Sequence, residues 1–257
     1  VQADPAYFEA YYNLGLAAAL PPRGMRRIYV SPGPTYDPEG RDASHWRWEK
    51  AFVAAGFREG DIVQNTFMYH FSPAGLMFDE ALQRIGCTVI PAGVGNTELQ
   101  AQVMKELDVT GYVGTPSFLM TILEKAKEMG YTSGDGLSLQ VAMVTGEMFP
   151  ESLRARFRDE FDVEARQCYG TADVGSLGYE CHVAKGMHVP DEILLEMLDP
   201  ATGDPVPPGA IGEVVEMVEK AAVCDDPAHA MLGSVLATPA DEVAGLAREV
   251  VAACVRL

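Results

Sequence analysis

The amino-acid sequence predicts an α/β fold, mostly parallel sheets covered by helices, with a smaller β subdomain near residues 180–218. Three observations predict it. Short apolar runs alternate with amphipathic segments across residues 62–161 through brief Gly/Pro connections, the pattern of strands and crossover helices in a parallel sheet. The 257 residues, 48% of them apolar, suffice to bury the core of one large domain or two smaller ones. Past residue 190, two strand-like segments flank an Asp-Pro-Ala-Thr-Gly-Asp turn. The expected division is an α/β core over 1–179, a small β subdomain over 180–220 and an atypical Ala-rich tail over 221–257.

In order, residues 6–20 repeat apolar side chains at helical spacing between Asp4-Pro5, a start signal, and Pro21-Pro22, a stop. Residues 26–30 read as a strand, and 31–40 as a loop whose Pro32, Pro34 and Pro38 each lack the N–H that a phosphate-holding loop uses. A rigid structural loop is the better reading there. Residues 43–56 read as an amphipathic helix carrying Trp46, Trp48 and Phe52. Strands follow at 62–68, 87–91, 111–114 and 139–144, and helices at 74–85, 98–107, 118–130 and 151–161, with Thr115 as a cap. Strand-like segments at 192–198 and 212–218 pair across the late turn, and 241–255 reads as a final amphipathic helix. In a parallel sheet every strand ends at one edge. The loops at 69–73, 93–97, 145–149 and 169–173 should therefore line one cleft.

Composition narrows the partners. A net charge of -18, from 37 acidic and 19 basic residues, argues against a nucleic-acid surface and against anionic lipid. No apolar run reaches the ~18–20 residues of a membrane span, and the N-terminus lacks a signal pattern, so the expected location is cytoplasmic. Five irregularly spaced cysteines do not form a disulfide framework. Starting at Val1, the chain reads as a processed product, a trimmed form or a fragment.

The chemistry centres on residues 167–175, Gln-Cys-Tyr-Gly-Thr-Ala-Asp-Val-Gly. Gly170 lets backbone approach a flat ligand, Tyr169 offers a ring to stack on it, and Asp173 can reach a metal or a phosphate-bound water. An ordinary Tyr-Gly turn explains the same residues. His70 reads more readily as a pocket-wall or core histidine than as a general base, and His45 and His229 as structural.

The order of motifs resembles the adenylate-forming enzymes, and within them the phenylacetate-CoA ligase group. The elements are residues 93–100 (Gly-Val-Gly-Asn-Thr-Glu-Leu-Gln), Gly114-Thr115-Pro116-Ser117, Thr145-Gly146-Glu147, Tyr169-Gly170-Thr171, Glu180-Cys181 with Gly186-Met187-His188, and residues 199–203. The likeness covers 25–218. It implies ATP- and Mg2+-dependent activation of a small carboxylic acid, aryl or acyl, to an acyl adenylate, after which coenzyme A displaces AMP. It places Gly146, Glu147, Cys168, Tyr169, Gly170 and Thr171 around the nucleotide, with Thr171 and Asp173 in catalytic positions. Asp173 stands where the family carries a Glu that holds magnesium. Tyr69, His70, Phe71 and Gly93 fall where the acid would bind. Cys181 and His188 match half of a zinc site that the group completes with a Cys-x-Cys, which this sequence lacks; a buried thiol beside a surface histidine is the alternative.

Two departures bear on activity. Residues 31–40 carry no Lys, and nothing after Val218 matches the family's Arg/Asp segment or its Lys-bearing C-terminal domain. The resemblance thus describes an N-terminal domain that binds AMP or an acyl adenylate better than ATP and, alone, forms no acyl-CoA. The rival is a non-catalytic homologue or gene fragment that keeps the fold and binds an acyl group, a nucleotide or a protein partner. Homodimerisation stays open.

Overall fold

The computed structural model describes residues 25–31, 35–41, 46–131, 136–172 and 174–218. The expected helices at 6–20 and 241–255, and Asp173 itself, lie outside these residues. The chain divides into two compact units, one within Pro22–His188 and one beginning at Val189.

The first unit is built on a six-stranded sheet. Its strands are β3 (Ile62–Asn65), β4 (Thr88–Pro91), β5 (Gly111–Gly114), β6 (Val141–Val144), β7 (Glu164–Thr171) and β8 (Gly175–Tyr179). The spatial order is β4-β3-β5-β6-β7-β8, parallel throughout except for the antiparallel β7–β8 pair. Helices α1 (Glu49–Ala55), α2 (Ala74–Arg84), α3 (Thr97–Glu106), α4 (Pro116–Glu128) and α5 (Glu151–Phe161) connect them.

Strand periodicity splits the core into two layers. Val113, Val141 and Met143 pack with Trp48, Phe52, Phe78 and Leu82 from the α1/α2 side. Their neighbours Tyr112, Ala142 and Val144 pack with Met104, Leu119, Ile122 and Phe157 of α3, α4 and α5. Alternation along continuously apolar strands is what a sheet covered on both faces requires. The α/β reading therefore holds. Helix α4 begins where sequence signals put it: Pro116 occupies its first turn, and Thr115 Oγ1 accepts the Phe118 N–H at 3.4 Å. Among the described residues no helix is long and apolar enough to cross a membrane.

Four local expectations need correction. The helix expected from residue 43 begins only at Glu49, because Arg47 has φ 57°, a left-handed geometry no α-helix admits. The loop expected over 31–40 contains a strand: β1 (Arg27–Ser31) and β2 (Thr35–Glu39) form an antiparallel hairpin. Across it Glu39, 1% exposed, accepts hydrogen bonds from Arg27 Nη1 at 2.9 Å and the Tyr29 hydroxyl at 2.6 Å. That buried carboxylate gives the second strand a fixed register despite Pro38. The strand expected over 62–68 stops at Asn65, where the side chain accepts the Phe67 N–H and turns the chain. Finally, Tyr169-Gly170-Thr171 is not a turn but the end of β7, with a bulge between Tyr169 and Gly170, and β8 begins at Gly175.

In the second unit, β9 (Ile193–Leu198) and β10 (Glu213–Val218) pair antiparallel. Asp199 anchors the turn after β9, its side chain accepting the Ala201 N–H and its carbonyl the Gly203 N–H, both at 2.8 Å.

Candidate nucleotide and acyl site

Because β3, β4, β6 and β7 run parallel, their exits share one edge. The β3 and β4 exits are tied together by backbone: the Asn65 carbonyl, at the end of β3, accepts N–H groups from Ala92 and Gly93 at 3.0 and 3.1 Å. Beneath them, Gln64 is fully buried and donates to Gln100 Oε1 at 2.7 Å, while Gln100 Nε2 reaches the carbonyls of Gly93 and Gly95 at 2.8 and 2.9 Å. Two glutamines thus shape the glycine loop. A Cβ at Gly93 would meet nothing within 4 Å, so the loop faces open space.

Along the β3 exit, the Tyr69 hydroxyl donates to Asp79 of α2 at 2.8 Å, and burial with that carboxylate raises its pKa. His70 is exposed, and Phe71, 76% exposed, has φ 63°. An exposed phenylalanine in left-handed geometry is unusual, and such strain collects at functional loops. Here the Phe71 carbonyl accepts the Val30 N–H at 2.9 Å, pinning the loop to β1.

The β6 exit lies against its neighbours. A Cβ at Gly146, whose φ is 84°, would sit 3.6 Å from the Thr115 side chain and 3.9 Å from the Phe67 ring, so this loop adjoins the β5 and β3 exits. The exposed Glu147 accepts the Ser117 N–H at 2.5 Å, in the first turn of α4, where free amides and the helix dipole favour a carboxylate. Cys168, on β7 beside this exit, is a thiol 5% exposed whose pKa burial pushes up to about 12. Cys168 is thus a core thiol whose neighbours, not its sulfur, face the edge.

Tyr169 stands 46% exposed at the strand end. Gly170 beside it admits no side chain, since a Cβ would lie 2.2 Å from the Gly175 carbonyl oxygen and 2.7 Å from the Trp48 ring. Thr171 Oγ1 accepts the Val174 N–H at 3.2 Å across the reversal. Trp46 and Arg47, expected within the 43–56 helix, instead meet this turn: the Trp46 indole donates to the Ala172 carbonyl at 2.8 Å and Arg47 Nη2 to that of Val174. No spacing signal marks them, because their partners lie some 126 residues away in sequence.

Further along, the 181–188 loop returns His188 to pair with Tyr179, N–H to carbonyl, at 2.8 and 3.0 Å. That return brings His188 near Cys181, and His188 with the Val183 backbone lowers the thiol pKa. Among the described residues no group of three or more His, Cys, Asp or Glu is placed to hold a metal ion.

Three comparisons bear on this arrangement. The chain is 30% identical over 215 residues to phenylacetate-coenzyme A ligase of Aromatoleum evansii, covering 79% of this chain and 48% of that protein. It is 29% identical over 216 residues to the enzyme of the same name from Thermus thermophilus, covering 80% and 48%. The chain therefore spans about half the length of these relatives. Among solved structures, a 2-hydroxyisobutyryl-CoA ligase in complex with 2-HIB-AMP and CoA superimposes with a TM-score of 0.71 at 20% identity, over 77% of this chain and 45% of that one. A benzoate CoA ligase from Burkholderia xenovorans LB400 gives a TM-score of 0.60 at 20% identity, over 75% and 40%. At these identities the likeness speaks for the fold. A family model described as AMP-binding enzyme matches residues 50–218, and the chain belongs to that family.

Proposed function

We propose that this chain supplies the nucleotide- and acid-binding part of an acid-CoA ligase. In that reaction a carboxylate oxygen attacks the α-phosphorus of ATP with loss of pyrophosphate. The thiol of coenzyme A then attacks the acyl carbon and expels AMP. The observation that carries the reading is the pairing of β6 with β7, Val144 opposite Gln167, which sets residues 145–147 beside residues 168–171 at one edge. On this reading Tyr169 stacks on adenine, Gly146, Glu147 and Cys168 contribute backbone and carboxylate beside it, and Gly170 and Thr171 meet the α-phosphate. Asp173 takes magnesium, and Thr171 and Asp173 serve the adenylation step. Tyr69, His70, Phe71 and Gly93 border the acid, a small carboxylic acid of aryl or acyl type. The exposed ring of Tyr169 and the open side of Gly93 fit these groups.

ATP is a poorer fit than AMP. The segment that resemblance aligns with a phosphate loop forms the β1–β2 hairpin, where Asp37 and Glu39 are buried and Arg27 is committed to Glu39 and Glu80. It offers carboxylates where a triphosphate needs cations and free N–H groups. At Cys181 and His188 two donors adjoin, which suits a weakly held zinc.

Calorimetry with AMP, ATP and a non-hydrolysable acyl-adenylate mimic tests the reading. The mimic should bind tightest and AMP tighter than ATP. ATP binding tightest would restore a working phosphate loop, and no binding of any of the three would favour a non-catalytic homologue.

A further inference from the structure

We propose that Trp46 and Arg47 are positioning residues for the nucleotide turn, holding from outside the hairpin the carbonyls of Ala172 and Val174. The inference rests on the nucleotide reading for its ligand and on the geometry of this segment for its substance. Between Thr171 and Gly175, three backbone atoms of Ala172 and Val174 are held. The Ala172 carbonyl accepts the Trp46 indole N–H at 2.8 Å, the Val174 N–H donates to Thr171 Oγ1 at 3.2 Å, and the Val174 carbonyl accepts from Arg47 Nη2. The hairpin answers in kind. The Ser176 N–H donates to the Trp46 carbonyl at 3.0 Å.

The contact is also steric. A Cβ on Gly175 would lie 2.5 Å from the Trp46 carbonyl oxygen, and one on Gly170 would strike the Trp48 ring, so the two segments touch with no room for a side chain between them. Extended backbone sends successive side chains to opposite faces. At Arg47, φ 57° breaks that alternation, and both Trp46 and Arg47 reach the same turn. A non-glycine residue keeps such a conformation where its surroundings over-determine it. Trp46 is in turn fixed, 5% exposed, with its ring 5.9 Å from that of Tyr29.

A residue that merely supports the fold would, when altered, weaken every ligand of the site together. One that aims the turn at a phosphate should matter only to ligands that carry it. The test is calorimetry of AMP and of adenosine with the wild-type chain and with Trp46→Phe, Arg47→Ala and Arg47→Lys. Trp46→Phe and Arg47→Ala should each weaken AMP about tenfold, the scale of one lost hydrogen bond to a fixed carbonyl, while adenosine stays within about twofold. Arg47→Lys, which keeps a donor, should recover most of the loss. Equal losses for the two ligands, or no loss for AMP, would overturn the proposal. Should Arg47→Ala fail to fold, Trp46→Phe, which keeps a ring against Tyr29, decides alone. A wild-type chain that binds neither ligand would instead remove the nucleotide reading. Amide hydrogen exchange over residues 170–176 then judges the clamp by itself: faster exchange in Trp46→Phe and Arg47→Ala upholds it, and unchanged exchange overturns it.

Discussion

Replacing Glu180 by Ala should be among the most damaging single changes to the first unit, because one carboxylate there joins β7, β8, α5 and the β6 exit. Its side chain is 5% exposed, and Oε1 accepts from Arg154 Nη2 at 2.9 Å and from Gln167 Nε2 at 3.3 Å. Its second oxygen accepts the Gln167 backbone N–H at 2.9 Å. Arg154, 13% exposed, also donates to the Ala165 carbonyl at 2.9 Å and lies 4.5 Å above the Phe149 ring at the end of the β6 exit loop. Glu180→Ala leaves the half-buried Arg154 guanidinium with only the Ala165 carbonyl at 2.9 Å and the exposed Glu151 at 3.3 Å, and takes the acceptor from the Gln167 N–H. Losing these hydrogen bonds at a part-buried charge pair costs about 2–3 kcal/mol, a large share of the ~5–15 kcal/mol that holds a domain folded. Glu180→Gln keeps an acceptor for Gln167 and loses the charge, for about 1–2 kcal/mol. Removing both charges, as Glu180→Leu with Arg154→Met, should recover at least half of the single-mutant loss. Urea unfolding followed by the fluorescence of Trp46 and Trp48 measures all three, provided the slope with denaturant is unchanged. The reasoning fails if Glu180→Ala lies within about 1 kcal/mol of wild type, or if Ala and Gln cost the same.

Three other outcomes follow from the site. Gly170→Ala drives a Cβ onto the Gly175 carbonyl and the Trp48 ring, so it should cost about 1–3 kcal/mol in the same unfolding experiment and abolish AMP binding; a neutral substitution would mean the hairpin yields. Among the three described cysteines, Cys181 should be alkylated first at pH 7.5. His188 holds its thiol pKa below the ordinary value, while burial raises those of Cys87 to about 11 and Cys168 to about 12. The thiolate therefore persists to lower pH at Cys181 than at the other two. His188→Ala should slow it, and peptide mapping that shows equal rates would refute the pairing. Metal analysis of purified protein should find zinc at a fraction of one per chain, removed by mild chelation; one tightly held zinc would show that more than Cys181 and His188 ligate it.

Strands β3 to β6 were legible because they announce themselves twice, by apolar runs and by the Gly/Pro breaks that bound them, whereas the polar β7 and the glycine-bearing β8 carry no such run. The 111–114 strand and the 151–161 helix fall on the expected residues. So does the common edge of the exit loops, which follows from parallel strands alone. What local pattern could not reveal is contact between distant segments. Trp48 fits a helical stripe with Phe52 as well as it fits packing on Gly170, and the left-handed Arg47 is what ends the helix before Trp46. Likewise β2 was hidden by Pro38 and by the prolines just before it, and Glu39 stabilises it through Arg27 and Tyr29 across the hairpin, beyond any propensity of its own. The Gln64–Gln100 pair was invisible for the same reason: two ordinary glutamines become a loop support only once α3 packs on β3.

The central claim is that residues 145–147 and 168–174 together form one nucleotide site, and a crystal structure of the chain soaked with AMP tests it most directly. The account predicts adenine stacked on the Tyr169 ring beside Gly146 and Glu147, with the phosphate over Gly170 and Thr171 at the turn that Trp46 and Arg47 hold. AMP bound at another surface, or an unaltered strand edge at saturating AMP, would contradict it.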